Sequence, residues 1–215
     1  MTTHRNFWFI AAFAAGCATI PASALAMGQA MGTNQGNGGA LYSDLAPTTR
    51  PPAEFLARFV ELTRADLGAN AVMLAALDLE GDAGTAASQS AGFSVETTPG
   101  RIETTVGAAA AAHQKVMDRL AGGPVLSAEK QAAFAAGALS LAQAVKGYVE
   151  LTGDLAAVKK SLSDAGAKGR LALYAAKTMP ATVAQARQEL QAAAQFAKSN
   201  NIALAPEVSQ AAGTM

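Results

Sequence analysis

Beyond Pro51, apolar side chains recur every three or four residues over most of the chain, the pattern of helices that bury one face. Leu56, Val60, Thr63, Leu67, Ala71 and Leu74 fall on one stripe, widened by Phe55, Phe59 and Leu62. Pro51-Pro52 suits a first helical turn, so the pattern predicts a helix from there to about Leu79. Residues 80–92 are ambiguous, because Gly81, Gly84 and Gly92 weaken a helix that the alanines between them favour. Residues 94–100 read as a connector. The next helix is expected over 101–121, where Ile102, Val106, Ala109, His113, Val116 and Leu120 form a regular heptad seam ended by Gly122-Gly123-Pro124.

Ser127 is placed to cap a helix running to about Leu151, with Phe134, Ala138, Leu141, Val145 and Tyr148 on its seam. Gly153-Asp154 breaks the chain before a short helix through Leu155, Val158 and Leu162. A second break is expected over 166–169, a helix over 170–177, and a restart at Thr178-Met179-Pro180 into a last long helix. That helix carries Val183, Ala186, Leu190, Ala193 and Ala197 and stops at Ser199-Asn200-Asn201, and residues 205–213 add a final turn or two. No alternating or β-branched run bounded by turns is present. The expected fold is all-α, an antiparallel bundle of about five to six helices with no sheet. The first and fourth segments carry the widest apolar arcs and are the candidates for its centre.

Upstream, the pattern changes character. Met1-Thr-Thr-His-Arg5 is followed by an apolar run over 7–20 and then by Pro21-Ala-Ser-Ala24-Leu-Ala26, which reads as a secretory signal peptide cut after Ala26. Ala14-Ala15-Gly16-Cys17 offers a second reading, a lipoprotein site with Ala where Leu is usual, in which Cys17 is lipidated and anchors the protein to the outer membrane. Ala24-x-Ala26 is the better-formed site. Residues 27–51, rich in Gly and Asn and ending in Pro, read as a flexible tether. This divides the chain into a signal peptide (1–26), a tether (27–51) and one helical domain (52–215), with no transmembrane helix in the mature chain.

Composition removes several kinds of chemistry. Alanine supplies 54 of the 215 residues, only 6% are aromatic and 15% charged, and 16 basic side chains balance 16 acidic ones. A neutral chain without a basic run offers nucleic acid no electrostatic surface. Cleavage after Ala26 would remove the single cysteine and leave His113 as the one histidine, so thiol chemistry, a histidine triad and a multi-histidine metal site are excluded. No cofactor and no metal are expected. The secretion signal together with the lack of cysteine points to a periplasmic protein.

The remaining candidates are few. His113 sits on an apolar seam, where a buried histidine bonded to a neighbour is the plain reading and a polar contact at a cavity wall or a lone proton carrier is the functional one. Asp78-Leu-Glu-Gly-Asp82 starts like a calcium loop, but Ala83 stands where glycine is required and Gln89 where a bidentate acid is. Gly166-Ala-Lys-Gly-Arg170 lacks the strand and the Lys-Ser/Thr of a phosphate loop. Asp78, Glu80, Asp82, Glu96 and Glu103 cluster only along the chain. His113, Phe134, Leu141, Tyr148, Tyr174 and Met179 are the candidate ligand-binding set, large or polar side chains among alanine walls that would enclose an amphiphile, with a tyrosine hydroxyl or His113 at its polar end.

The stretch 126–208 resembles a family of uncharacterised secreted proteobacterial proteins, through Leu126-Ser-Ala-Glu129, Phe134-Ala-Ala-Gly137, Tyr174-Ala-Ala-Lys-Thr-Met-Pro180 and Phe196-Ala-Lys-Ser-Asn-Asn-Ile202. The resemblance implies an all-helical periplasmic protein without an assigned enzymatic role. A looser similarity, of architecture and compartment, is to helical periplasmic carriers of lipids or sterols. The expected function is non-enzymatic: binding or carrying a lipid or other hydrophobic molecule in the envelope. The alternative is a structural or interaction protein with a solid core and an envelope protein as partner.

Overall fold

The computed structural model describes residues 50–160 and 166–213. The expected signal peptide, Cys17, Leu162 and nearly all of the tether lie outside the described residues. Among the described residues seven helical segments follow one another: α1 (Pro52–Ala76), α2 (Glu80–Ala91), α3 (Pro99–Ala121), α4 (Ala128–Thr152), α5 (Leu155–Lys160), α6 (Gly166–Ser199) and α7 (Pro206–Gly213). No strand occurs among the described residues. The fold is an all-α bundle.

Local signals set most boundaries. Pro52 opens α1 at a position where its missing N–H is not needed. Thr98 caps α3, its hydroxyl accepting from the Arg101 N–H at 3.2 Å, and Ser127 does the same for α4 toward Lys130 at 3.4 Å. Gly123, at φ 60°, turns the chain after α3.

Three boundaries differ from expectation. Helix α1 ends at Ala76, and Asp78 adopts φ 64° in the tight turn to α2. The ambiguous glycine-bearing segment is helical because Ala83 and Ala86 are buried against the bundle and Ser90 bonds the Arg64 carbonyl at 2.9 Å. The expected breaks over 166–169 and at Thr178-Met179-Pro180 are absent, and α6 is one helix with Pro180 inside it. Pro180 is exposed, the Thr178 hydroxyl bonds the Ala175 carbonyl at 3.0 Å, and buried residues anchor α6 on both sides. Packing along a long helix outweighs the roughly 3 kcal/mol that an internal proline costs.

The order of burial gives the topology. Phe55 of α1, Ile102 of α3, Leu151 of α4 and Ala172 of α6 belong to one apolar cluster, while Leu74, Leu120, Phe134 and Ala197 belong to a second. Thus α1, α3 and α6 run in one direction and α4 in the other. The largest helix contact is between α1 and α4, while α6 touches α1, α3, α4, α5 and α7. The α1/α4 approach depends on glycine: a Cβ at Gly137 would lie 3.1 Å from the Ala69 carbonyl oxygen, and one at Gly147 would collide with Leu62.

Candidate functional site: a polar layer between two apolar clusters

Where the two apolar clusters meet, four helices turn polar side chains inward. Thr63, Asp66 and Asn70 are spaced three and four residues apart, so one face of α1 presents all three. Helix α3 supplies Thr105 and His113, α4 supplies Tyr148, and α6 supplies Thr182 and Glu189. Thr63, Asp66, Asn70, Thr105, His113, Tyr148 and Glu189 all have 0% exposure.

His113 is the centre of the layer. Its Nδ1 is paired with Glu189 Oε2, and its Nε2 lies 3.3 Å from Asp66 Oδ1, in ion-pair reach without an aligned hydrogen bond. The Asn70 side-chain amide donates to Asp66 Oδ1 at 2.9 Å and to the Asp66 carbonyl at 3.1 Å, and lies 3.3 Å from His113 Nδ1. One step away, the Tyr148 hydroxyl donates to Thr63 Oγ1 at 3.0 Å, and Thr63 in turn donates to the Phe59 carbonyl at 2.9 Å. Asp66 Oδ2, Asn70 Oδ1, Thr105 Oγ1, His113 Nε2 and Glu189 Oε1 are buried with no hydrogen-bond partner in the protein. Most buried polar groups are paired, so five such atoms in one layer mark it as unusual.

The electrostatics follow from this arrangement. Burial is the largest influence on His113 and opposes its charge, but the charge of nearby Asp66 and the pairing with Glu189 outweigh it, and the imidazole is pushed up from 6.5 to about 10. Burial dominates at Glu189, whose carboxyl rises from 4.5 to about 7 despite the opposing contact with His113. The Tyr148 hydroxyl is raised well above its usual 10.0, by burial first and the charge of Asp66 second. His113 is therefore an imidazolium flanked by two carboxyl groups, one of which shares the proton load at neutral pH.

The sequence-derived candidates are dispersed along the bundle. His113 and Tyr148 both face the layer. Phe134 and Leu141 sit in the cluster on one side, with Phe134 edge-on to Phe196 at 5.5 Å. Met179 is buried in the cluster on the other side, where half-buried Tyr174 packs with its hydroxyl beside Glu103. Four surface concavities, of about 520, 380, 400 and 70 Å³, are lined by none of these six side chains. The largest is an open groove edged by Ala57, Arg64, Ser90 and Val95.

Sequence reasoning passed over Asp66, Asn70 and Glu189. The signal was their phase, since Asp66 and Asn70 keep the period of Phe59, Leu62 and Met73, and Glu189 lies three residues after Ala186 on the α6 seam. The acids that did attract notice lie on the surface, where Asp78 pairs with Lys130 and Asp82 with Lys115. Among the described residues no three His, Cys, Asp or Glu side chains are arranged as ligands of a metal ion, and no helix is long and apolar enough to cross a membrane. Comparison with protein-family models, curated proteins and solved structures returns no match.

Proposed function

We propose that this chain is a non-enzymatic helical protein of the cell envelope that acts through its outer surface on a protein partner, with a filled interior. One observation carries the reading: Phe134, Leu141, Tyr148 and Met179, the side chains best suited to line an internal ligand cavity, are fully buried in two packed clusters. The envelope placement rests on the N-terminal pattern of a basic start, an apolar run and Ala24-x-Ala26. A bundle of this kind contributes shape and surface.

A second reading, a carrier of a lipid or other amphiphile, draws support from one feature. His113 and Tyr148, the groups expected to hold a polar end, lie in one layer with unpartnered polar atoms between two apolar clusters. A ligand stabilises a protein by binding its native state, by about 2.7 kcal/mol at a hundredfold excess over its dissociation constant. Thermal unfolding is therefore measured against sterols, fatty acids and phospholipids. The expected outcome is a flat midpoint, together with a partner captured from envelope extracts by the full chain. A midpoint raised by one amphiphile, and no longer raised in Ala138→Phe or Ala175→Phe, would overturn the filled-interior reading in favour of the carrier.

A further inference from the structure

The polar layer has no part in the filled-interior reading, yet it joins all four long helices and its charges do not balance. An imidazolium and two ionised carboxylates sum to minus one, on side chains with no exposed surface. Each helix packed around the layer can be checked for a compensating cation. Helix α1 contributes Asp66 and the neutral Asn70, α3 contributes His113, α4 contributes the neutral Tyr148 phenol, whose proton is given to Thr63, and α6 contributes Glu189. The groups acting electrostatically on His113 are Asp66 and Glu189, and those acting on Glu189 are His113, Asp66 and Asn70. No lysine or arginine belongs to either set.

An uncompensated charge in an apolar interior is strongly disfavoured, and a buried group neutralises itself by taking up a proton where no counter-ion is at hand. Glu189 Oε1 is free to carry one, being buried and unpartnered. A metal ion would need donors converging from at least three groups, which the described residues do not provide. A proton needs only one oxygen.

We propose that the Asp66–His113–Glu189 layer is a proton-binding site, which holds two protons among its three groups in the closed bundle and whose deprotonation loosens α6 from α1 and α3. The direction of the linkage is fixed. Glu189 is raised from 4.5 to about 7 and His113 from 6.5 to about 10, so the folded chain binds more protons than the unfolded one across both intervals. The stabilising effect is complete below 4.5, falls as pH rises toward 7, and falls again toward 10. This is the reverse of ordinary acid denaturation, in which stability is lost as carboxylates protonate.

The test is urea unfolding of the full chain from pH 4.5 to 9, for the natural protein and for Glu189→Gln. One proton taken up on folding changes the unfolding constant by about tenfold per pH unit inside its window. The natural protein should lose stability with rising pH at a slope approaching one proton between 5 and 7. Glu189→Gln should flatten that interval and be the more stable of the two at pH 8. A natural protein whose stability is level or rises over this range would overturn the proposal, as would a Glu189→Gln slope equal to the natural one. Should Glu189→Gln fail to fold, the ring nitrogens of His113 can be followed by NMR in His4→Gln, which has no other histidine. A ring still doubly protonated at pH 8.5 supports the site. Titration near 6.5, or stabilisation at pH 8 by an added sodium, magnesium or zinc salt, overturns it.

Discussion

The cluster around Phe134 and the layer around His113 occupy the same bundle and are held together on opposite principles. Phe134, Leu141, Leu190 and Phe196 contribute through area and close packing, so each contact is replaceable in kind and none depends on pH. In the layer each group owes its state to two others: His113 is charged because of Asp66 and Glu189, and Glu189 is partly neutral because it is buried beside Asp66. The difference teaches that a core built from alanine can tolerate a charged insertion if that insertion is tied to several helices at once. It also shows where sensitivity concentrates, since a polar network is costly when only part of it remains.

The comparison can be broken first at its two centres. Phe134→Ala should destabilise by about 3–5 kcal/mol through lost burial and a cavity, equally at pH 5 and pH 8, as read by urea unfolding. His113→Leu should cost a similar ~3–5 kcal/mol at pH 8, because two buried carboxylates lose the cation between them. Its cost should shrink at pH 5, where Glu189 can take up a proton. A pH-independent loss in His113→Leu would erase the distinction between the two regions.

A smaller effect sharpens the contrast in geometry. Gly137→Ala places a methyl group against the Ala69 carbonyl and the Met73 side chain, and overpacking of this kind should cost about 1–3 kcal/mol with no pH dependence. The α1/α4 contact would move apart, and the thermal midpoint would fall without a change in the pH slope. Smallest is the surface pair of Lys115 and Asp82: Lys115→Ala should change stability by about 0–1 kcal/mol, and less in high salt, since solvent screens both partners. A larger loss there would mean that charge matters outside the layer as much as within it.

Much of the framework was readable from the chain. The heptad seam of α3 placed Ile102, Ala109, His113 and Val116 on the buried face where the structure has them, and Pro52, Ser127 and Gly122-Gly123 marked helix ends from local geometry alone. His113 and Tyr148 were legible as unusual positions because each is a polar-tipped side chain on an apolar stripe. Pro180 was misread as a restart, since its local preference is opposed by burial on both sides of it that no short window of sequence reveals. Asp66, Asn70 and Glu189 were in phase with the buried stripes but resembled ordinary polar positions at the edge of an alanine-rich seam.

What the sequence by itself determined is the class of structure: helices of a given phase and length, ended by caps and glycines. These are consequences of contacts within about four residues. The tertiary structure alone decided which polar groups meet. Asp66 and Glu189 are 123 positions apart in the chain and are brought to the two nitrogens of one imidazole by the rotation and axial offset of α1, α3 and α6. That register depends on how closely the helices approach, hence on small residues such as Gly137 and Gly147 at α1/α4, and packing of this kind is a property of pairs of helices that no single stripe encodes.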